Sequence, residues 1–250
     1  MGLPVSVLAR GPRADADQAA DAVARVFDEL HEVDAVFSPY RADSAVSRLG
    51  RGEIGLQDCD EDVLVVLERC RRARERTGGL FDPVRPDGTW DPSGLVKGWA
   101  VERAARHLAA VTDVDWCLNA GGDVVVHCPS GQPFAVGIQD PQDATKVAAV
   151  VRRVAGAVAT SGTAARGSHL YDPRTGLVAA GGWSSVTVAG PSLETADVLA
   201  TAAFVAGHAW ADVLRSVPGY AALAITSDGA LRPSVGWPGG TGPHAPPGGG

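Results

Sequence analysis

Positive charge is scarce in this chain, and it is not gathered into a stripe. The 250 residues include 22 Lys and Arg against 29 Asp and Glu, for a formal net charge of −7. No run of basic residues is interleaved with aromatic ones, so we expect no nucleic-acid partner. The Arg-rich segment 69–76 alternates with Glu and apolar residues, which favours a solvated helix face.

Long apolar runs are also absent. No stretch approaches the ~18 apolar residues that a membrane span needs, and segment 1–10 is too short for a signal peptide with its flanks. No lipobox-like cysteine stands near the start, so we expect neither a membrane span nor a lipid anchor. The four cysteines contain no C-x-x-C pair, and Cys70 and Cys117 lie in apolar patterns typical of small buried thiols. A reducing, cytoplasmic location fits this pattern best.

The common nucleotide and hydrolase signatures are missing as well. There is no G-x-x-x-x-G-K-[ST], no G-x-G-x-x-G after a strand and no G-x-S-x-G. The glycine-rich segment 120–123 lies between two predicted strands, so it is not a P-loop. A phosphate ligand would therefore be bound outside the usual nucleotide folds.

Hydrophobic periodicity predicts helices early in the chain, strands later, and one late apolar helix. This order indicates an α+β protein with mainly antiparallel pairing. Segment 38–55 is predicted as a loop, and 147–154 with 156–160 as a strand pair. We predict one domain over residues 1–237 and a disordered Gly/Pro-rich tail over 238–250. Predicted helices cover 14–37, 60–77, 93–108, 193–206 and 209–216, and the other strands 3–9, 116–119, 124–128, 134–138, 184–189, 220–226 and 231–235.

The stretch 78–108 is the most informative part of the sequence. Its first half is rich in Gly, Pro and Asp and must turn repeatedly, and its second half predicts a helix with Ser93 as N-cap. A loop that leads into a helix N-terminus can receive phosphate on backbone N–H groups, and Lys97 adds a positive charge there. Asp91 could accept from a ligand or only cap the turn, and Gly94 could let its carbonyl approach a metal.

A second candidate lies on the late apolar helix. Asp197 and Thr201 are four residues apart and share one helix face. A carboxylate and a hydroxyl that converge there suit Mg²⁺, which takes few protein oxygens. Alternatively, Asp197 caps a neighbouring strand and Thr201 bonds to its own helix carbonyl. Spacing alone leaves both interpretations open.

Histidine supplies the candidate general base. His169 lies seven residues after the T-S-G segment 160–162, and its side chain titrates nearest neutrality. A structural hydrogen-bonding role is the alternative for a lone histidine.

Taken in order, these segments resemble the ApbE family of flavin transferases (FAD:protein FMN transferases). Each motif alone is weak, but the ordered set is highly specific and spans nearly the whole chain. The motifs are M-G-L-P-V-S-V, F-S-P-Y-R-A-D-S-A-V-S-R-L, G-L-F-D-P, D-P-S-G-L-V-K-G-W-A-V-E, N-A-G-G-D, V-G-I-Q-D-P, A-T-S-G, S-H-L-Y-D-P-R-T-G, S-V-T-V-A-G-P-S and A-D-V-L-A-T.

The resemblance implies a single α+β unit of ApbE type, related to the T-fold, with mainly antiparallel sheets flanked by helices and an FAD cleft between sub-lobes. It implies Mg²⁺ held by Asp197, Thr201 and the Gly94 carbonyl, and a histidine, His169, that activates the acceptor. The family positions for FAD fall on Met1, Tyr40, Leu80, Phe81, Asp82, Asp91, Lys97 and Tyr171.

The implied activity is Mg²⁺-dependent transfer of FMN from FAD, the substrate, to a threonine hydroxyl of an acceptor redox protein, with release of AMP. The implied partner presents a short flavinylation motif that contains the threonine. One departure is Ala200, where many relatives carry an acidic residue. Two other functions stay open: a Mg²⁺-dependent FAD pyrophosphatase that uses water, and a non-catalytic FAD-binding protein.

Overall fold

Antiparallel strands form the centre of the fold. The computed structural model describes residues 2–163, 171–179 and 182–240, and within these ranges the chain forms nine strands and six α-helices. The helices are α1 (Asp17–Phe37), α2 (Ala45–Gly50), α3 (Glu61–Arg76), α4 (Ser93–Ala109), α5 (Leu193–Ala206) and α6 (Trp210–Arg215). The strands are β1 (Val5–Arg10), β2 (Asp115–Ala120), β3 (Asp123–His127), β4 (Phe134–Gln139), β5 (Val147–Arg153), β6 (Ala155–Gly162), β7 (Trp183–Gly190), β8 (Ala221–Thr226) and β9 (Leu231–Pro233).

Seven of these strands form one sheet in the order β1-β2-β3-β6-β7-β8-β9, and β4 pairs with β5 in a second sheet. Every pair of adjacent strands is antiparallel. The predicted α+β class with mainly antiparallel sheets and flanking helices is therefore confirmed. The predicted pairing of 147–154 with 156–160 is wrong, because β5 pairs with β4 while β6 lies between β3 and β7.

The large sheet has two buried faces. One face packs against the helices: Leu118, Ala159 and Val186 belong to the same core as the apolar sides of α1, α4 and α5. The other face packs against the β4–β5 sheet, and Val158 and Leu223 belong to that second core. Alternation of side chains along each strand explains how one strand contributes to both.

Two local predictions need correction. The predicted loop 38–55 contains helix α2, whose N-cap Ser44 accepts a hydrogen bond from the Ser47 N–H at 3.1 Å. Ser93 is not an N-cap, because it already lies in the first turn of α4. The Asp91 carboxylate accepts its backbone N–H at 3.0 Å instead. An Asp two residues ahead of a helical N–H therefore takes the capping role predicted for Ser93.

One described segment, Leu193–Arg215, is long and apolar enough for a membrane span by length and composition. It comprises α5 and α6, and most of its apolar window is packed inside the fold. The four cysteines are free thiols, and Cys70 and Cys117 are buried as predicted. Burial raises the pKa of the Cys70 thiol to about 12, so this thiol stays protonated.

Candidate active site

Three charged side chains from three separate elements meet between α4, β3 and α5. The Lys97 ammonium lies 2.6 Å from Asp123 Oδ2 and 3.4 Å from Asp197 Oδ1. The side chains of Asp123 and Asp197 are 1% and 4% exposed, and that of Lys97 is 15% exposed. We call these residues the Lys97 cluster. Because buried charges are costly even when paired, such a cluster points to function rather than to stability.

Two hydroxyl groups lie next on α5 and β6. Thr201 is one helical turn after Asp197, and its Oγ1 lies 3.0 Å from Ser161 Oγ. Thr201 therefore faces the sheet through Ser161, while Asp197 faces Lys97. The ligand interpretation of the Asp197–Thr201 pair stays a prediction.

Asp123 is held by the neighbouring strand. It opens β3, and its Oδ1 accepts the backbone N–H of Thr160 on β6 at 3.1 Å. The β3–β6 pairing thus fixes one carboxylate oxygen and leaves the other directed at Lys97. Asp123 and Ser161 are not among the site residues predicted from the sequence. The available signal was a single Asp directly after the Gly121–Gly122 turn, at the start of an otherwise apolar strand.

Helices α4 and α5 approach each other very closely beside this cluster. A Cβ at Gly98 would lie 2.7 Å from Glu194 Cα and 2.9 Å from the Leu193 carbonyl oxygen. One turn further along α4, the Glu102 carboxylate accepts the Leu193 N–H at 2.6 Å and the Ser192 hydroxyl at 3.1 Å. Glu102 therefore caps the N-terminus of α5, where a negative charge is favourable.

Gly94 lies one turn before Gly98 on α4. Glu102 on α4 contacts Leu193 at the start of α5, and Lys97, which is earlier on α4, contacts Asp197, which is later on α5. The contacts therefore follow an antiparallel order along the two helices, and the approach of the Gly94 carbonyl to Asp197 stays a prediction. A Cβ at Gly94 would lie 3.2 Å from Phe81 Cε2, so glycine also permits close packing against that ring.

The predicted FAD loop packs in front of α4. Phe81 is buried and Leu80 is half-buried against the helix-side core. Asp82 Oδ2 accepts from Arg74 Nε at 2.6 Å, and Asp91 forms an ion pair with Arg85. One Arg–Asp pair thus ties the loop to α3, and the other lies within the loop.

Tyr171 lies near the same loop. Its phenol is half-buried, and burial raises its pKa, while the charge of Arg85 acts in the opposite direction. Tyr171 therefore lies within electrostatic range of Arg85 and Asp91. Tyr40, by contrast, is 88% exposed and makes no part of this packed group. Met1 and His169 lie outside the described residues, so their predicted roles stay predictions.

The oxygen donors present fit a magnesium ion. Asp197 supplies a carboxylate, Thr201 a hydroxyl, and Gly94 a backbone carbonyl, and Mg²⁺ prefers such hard oxygen ligands while keeping several waters. Ala200, which precedes Thr201 on α5 and is buried, supplies no further carboxylate to this part of the helix.

Two surface grooves lie away from this cluster. One of about 550 Å³ runs between α3 and α5 and is lined by residues such as Arg69 and Val198. The other, of about 410 Å³, lies beside α1 and is lined by residues such as Ala16 and Trp116. The predicted FAD cleft between sub-lobes stays a prediction.

Comparison with known proteins identifies the family. The profile described as the ApbE family matches residues 1–87 and 84–224, which is most of the chain. The chain belongs to the ApbE family. A curated ApbE-type relative from Rhodobacter capsulatus, named FAD:protein FMN transferase, is 34% identical over 62% of this chain. That match spans 31% of the relative's own length. A protein of the same name from Treponema pallidum is 26% identical, over 93% of this chain and 83% of its own.

Solved ApbE structures share the fold. The crystal structure of the ApbE protein from Thermotoga maritima superposes with a TM-score of 0.80 at 24% identity. The superposition covers 94% of both chains. At this identity the likeness establishes the ApbE fold, and the activity is argued from the site.

Proposed function

We propose that this ApbE-family chain transfers FMN from FAD to a threonine hydroxyl of an acceptor redox protein, with Mg²⁺ as the required metal. The observation that carries the proposal is the Lys97 cluster with Thr201 beside it. It brings one ammonium, two carboxylates and a hydroxyl into one largely buried group, which supports a site for phosphate and a metal. The names of the relatives support flavin transfer, and the donor set supports the metal.

Asp197, Thr201 and the Gly94 carbonyl would hold the metal. When bound, Mg²⁺ offsets negative charge on phosphate oxygens and on the leaving group. Lys97 would reach the FAD pyrophosphate from the first turns of α4, where helix N–H groups also favour phosphate. Tyr40, Leu80, Phe81, Asp82, Asp91, Tyr171 and Met1 would complete the FAD site.

The proposed reaction balances without another reactant. The threonine oxygen bonds to the FMN-side phosphorus of FAD, the pyrophosphate P–O bond breaks, and AMP leaves. His169 is the proposed base that takes the hydroxyl proton. Alignment of the two groups and neutralisation of charge would supply most of the rate, as in other phosphoryl transfers.

We further propose a cytoplasmic location.

The test is to incubate the protein with FAD, Mg²⁺ and an acceptor domain that carries the threonine, and then to weigh the acceptor. A gain of one FMN less water, dependent on Mg²⁺, would support the transferase. AMP and free FMN without an adduct would contradict it and indicate a pyrophosphatase. If the protein binds FAD but neither modifies the threonine-bearing acceptor nor releases AMP, it is a non-catalytic FAD-binding protein.

Asp197→Asn sharpens this test. We expect the transfer rate to fall at least about a hundredfold, because the metal's contribution amounts to several kcal/mol. The matched control is Asp212→Asn on α6, whose carboxylate forms an exposed pair with Arg215. The control should keep the wild-type rate, and an unchanged rate in Asp197→Asn would remove Asp197 from the metal site.

A further inference from the structure

Asp123 is the most deeply buried member of the Lys97 cluster, at 1% exposure. Its two oxygens have different partners: Oδ1 accepts the Thr160 N–H at 3.1 Å, and Oδ2 lies 2.6 Å from Lys97 Nζ. The first contact ties the carboxylate to the sheet, and the second ties it to α4. Asp123 is therefore a fixed anion in front of a long and otherwise flexible side chain.

The Lys97 ammonium is shared unequally between the two carboxylates. It lies at ion-pair distance from Asp123 and farther, at 3.4 Å, from Asp197. Like charges at this range repel strongly in a buried site, so an ammonium drawn fully onto Asp197 would oppose a metal ion on the same carboxylate. A second group must therefore hold the Lys97 ammonium away from Asp197.

We propose that Asp123 is a positioning residue that draws the Lys97 ammonium away from Asp197 and so leaves Asp197 able to bind Mg²⁺. The inference rests on the proposed function, because it concerns the same metal site. It assigns Asp123 no contact with the metal or with FAD. The acidic residue at the start of β3 acts through Lys97 alone.

Simple charge counting gives the expected order of variants. The wild-type cluster has two carboxylates and one ammonium, Asp123→Asn leaves one of each, and Lys97→Met leaves two carboxylates. The double variant Lys97→Met/Asp123→Asn returns to the net charge of the wild type and removes the ammonium beside Asp197. Magnesium affinity should therefore be highest in Lys97→Met, similar in wild type and double variant, and lowest in Asp123→Asn.

Asparagine is a suitable replacement at position 123. Its side-chain oxygen can still accept the Thr160 N–H, so the link to β6 is kept while the charge is lost. A purely structural role for Asp123 would lower stability without being rescued at Lys97. Rescue of magnesium binding by a second substitution therefore separates positioning from folding.

The experiment titrates each full-length variant with Mg²⁺ alone by calorimetry, and checks it by the Mg²⁺-induced rise in melting temperature. We expect the dissociation constant to rise at least about tenfold in Asp123→Asn, and the double variant to return to within about threefold of wild type. Glu194→Gln is the control for long-range charge. It removes one carboxylate on α5 that pairs with Arg69, and it should change the constant less than about twofold.

Three outcomes would overturn the inference. They are an unchanged Mg²⁺ affinity in Asp123→Asn, a double variant as weak as Asp123→Asn, or an equal loss in Glu194→Gln. The acceptor-mass assay on the same wild-type sample keeps the two ideas apart. Transfer with any of these outcomes defeats the positioning role alone, whereas a wild type that neither binds Mg²⁺ nor transfers FMN defeats both.

Discussion

The two faces of the seven-stranded sheet are built from the same strands but bury different chemistry. The helix face holds the three charges of the Lys97 cluster, whereas the face under β4 and β5 holds apolar side chains, neutral hydroxyls and, at one end of β2, the Asp115 carboxylate paired with Arg10. Neighbours in sequence show the contrast: Ser161 bonds to Thr201 on the helix face, and Thr160 bonds to Thr187 on the other at 2.9 Å. One step along a strand thus separates the candidate active site from ordinary core.

The contrast teaches that burial and function are separable here. Both faces exclude water, but charges are packed together where α4 and α5 cover the sheet. We infer that the far face contributes stability and that the helix face contributes stability and chemistry together. Paired substitutions, one on each face, test this division.

The largest expected effect comes from truncating one buried leucine on each face. Leu199 on α5 and Leu223 on β8 are both fully buried, in the helix-side core and the far-side core respectively. Each change to Ala should cost about 3–4 kcal/mol of unfolding free energy, measured by urea denaturation. Only Leu199→Ala should also lower Mg²⁺-dependent transfer, at least about tenfold, because α5 carries Asp197 and Thr201. Equal losses of transfer in both variants would break the comparison.

A smaller effect is expected from adding one methyl group at a glycine of α4 and, for comparison, at a glycine of β4. Gly98→Ala forces the backbone of α5 away from α4, because the new Cβ would lie 2.7 Å from Glu194 Cα. We expect a loss of about 2–3 kcal/mol in unfolding free energy and weaker Mg²⁺ binding by calorimetry.

The comparison change is Gly137→Ala on the exposed side of β4, where the nearest atom to the new Cβ is a Val147 methyl at 3.4 Å. That distance is ordinary contact, so its cost should stay below about 1 kcal/mol. A tolerated Gly98→Ala would mean that the close helix crossing is not needed to hold the cluster.

The smallest effect is the pH dependence that Glu194 on α5 contributes to stability. Burial raises the pKa of Glu194, with Arg69 acting in the opposite direction. A raised folded-state pKa means that the fold prefers the protonated carboxyl, so Glu194 costs stability once pH exceeds its unfolded value. The melting temperature of Glu194→Gln, minus that of wild type, should therefore increase between pH 4 and pH 8.

Glu75→Gln on the exposed side of α3 is the control for losing one carboxylate. Identical pH profiles for wild type and Glu194→Gln would show that this carboxyl is not disfavoured by burial.

Much of the fold could be predicted from the sequence because the signals are local. Apolar spacing marked α1, α3, α4 and α5, and the turn residues between them marked the boundaries. The partner of β5 could not be predicted, since strand pairing depends on segments far along the chain. Helix α2 was missed because its six residues are too few to show a helical period, so the Ser44 cap was its main signal.

The site was predictable in part for the same reason. Asp197 and Thr201 share a helix face, which spacing reveals, and Lys97 follows a turn-rich loop in the first turns of a predicted helix. The partnership of Lys97 with Asp123 depends on α4, β3 and β6 packing together, and no local pattern encodes it. A lone Asp after two glycines reads as a turn residue until the sheet order is known.

The order of elements along the chain has a consequence for biosynthesis. Lys97 and Asp123 leave the ribosome well before α5, so the nascent chain carries the first two charges without the helix that completes the site. Synthesis proceeds from the N-terminus, and α5 adds its contacts only after β7 has been made. A chain interrupted before α5 would lack Asp197 and Thr201 altogether. Truncated products would then lack two of the three proposed metal ligands, and the proposed reaction would become possible only after α5 has been made.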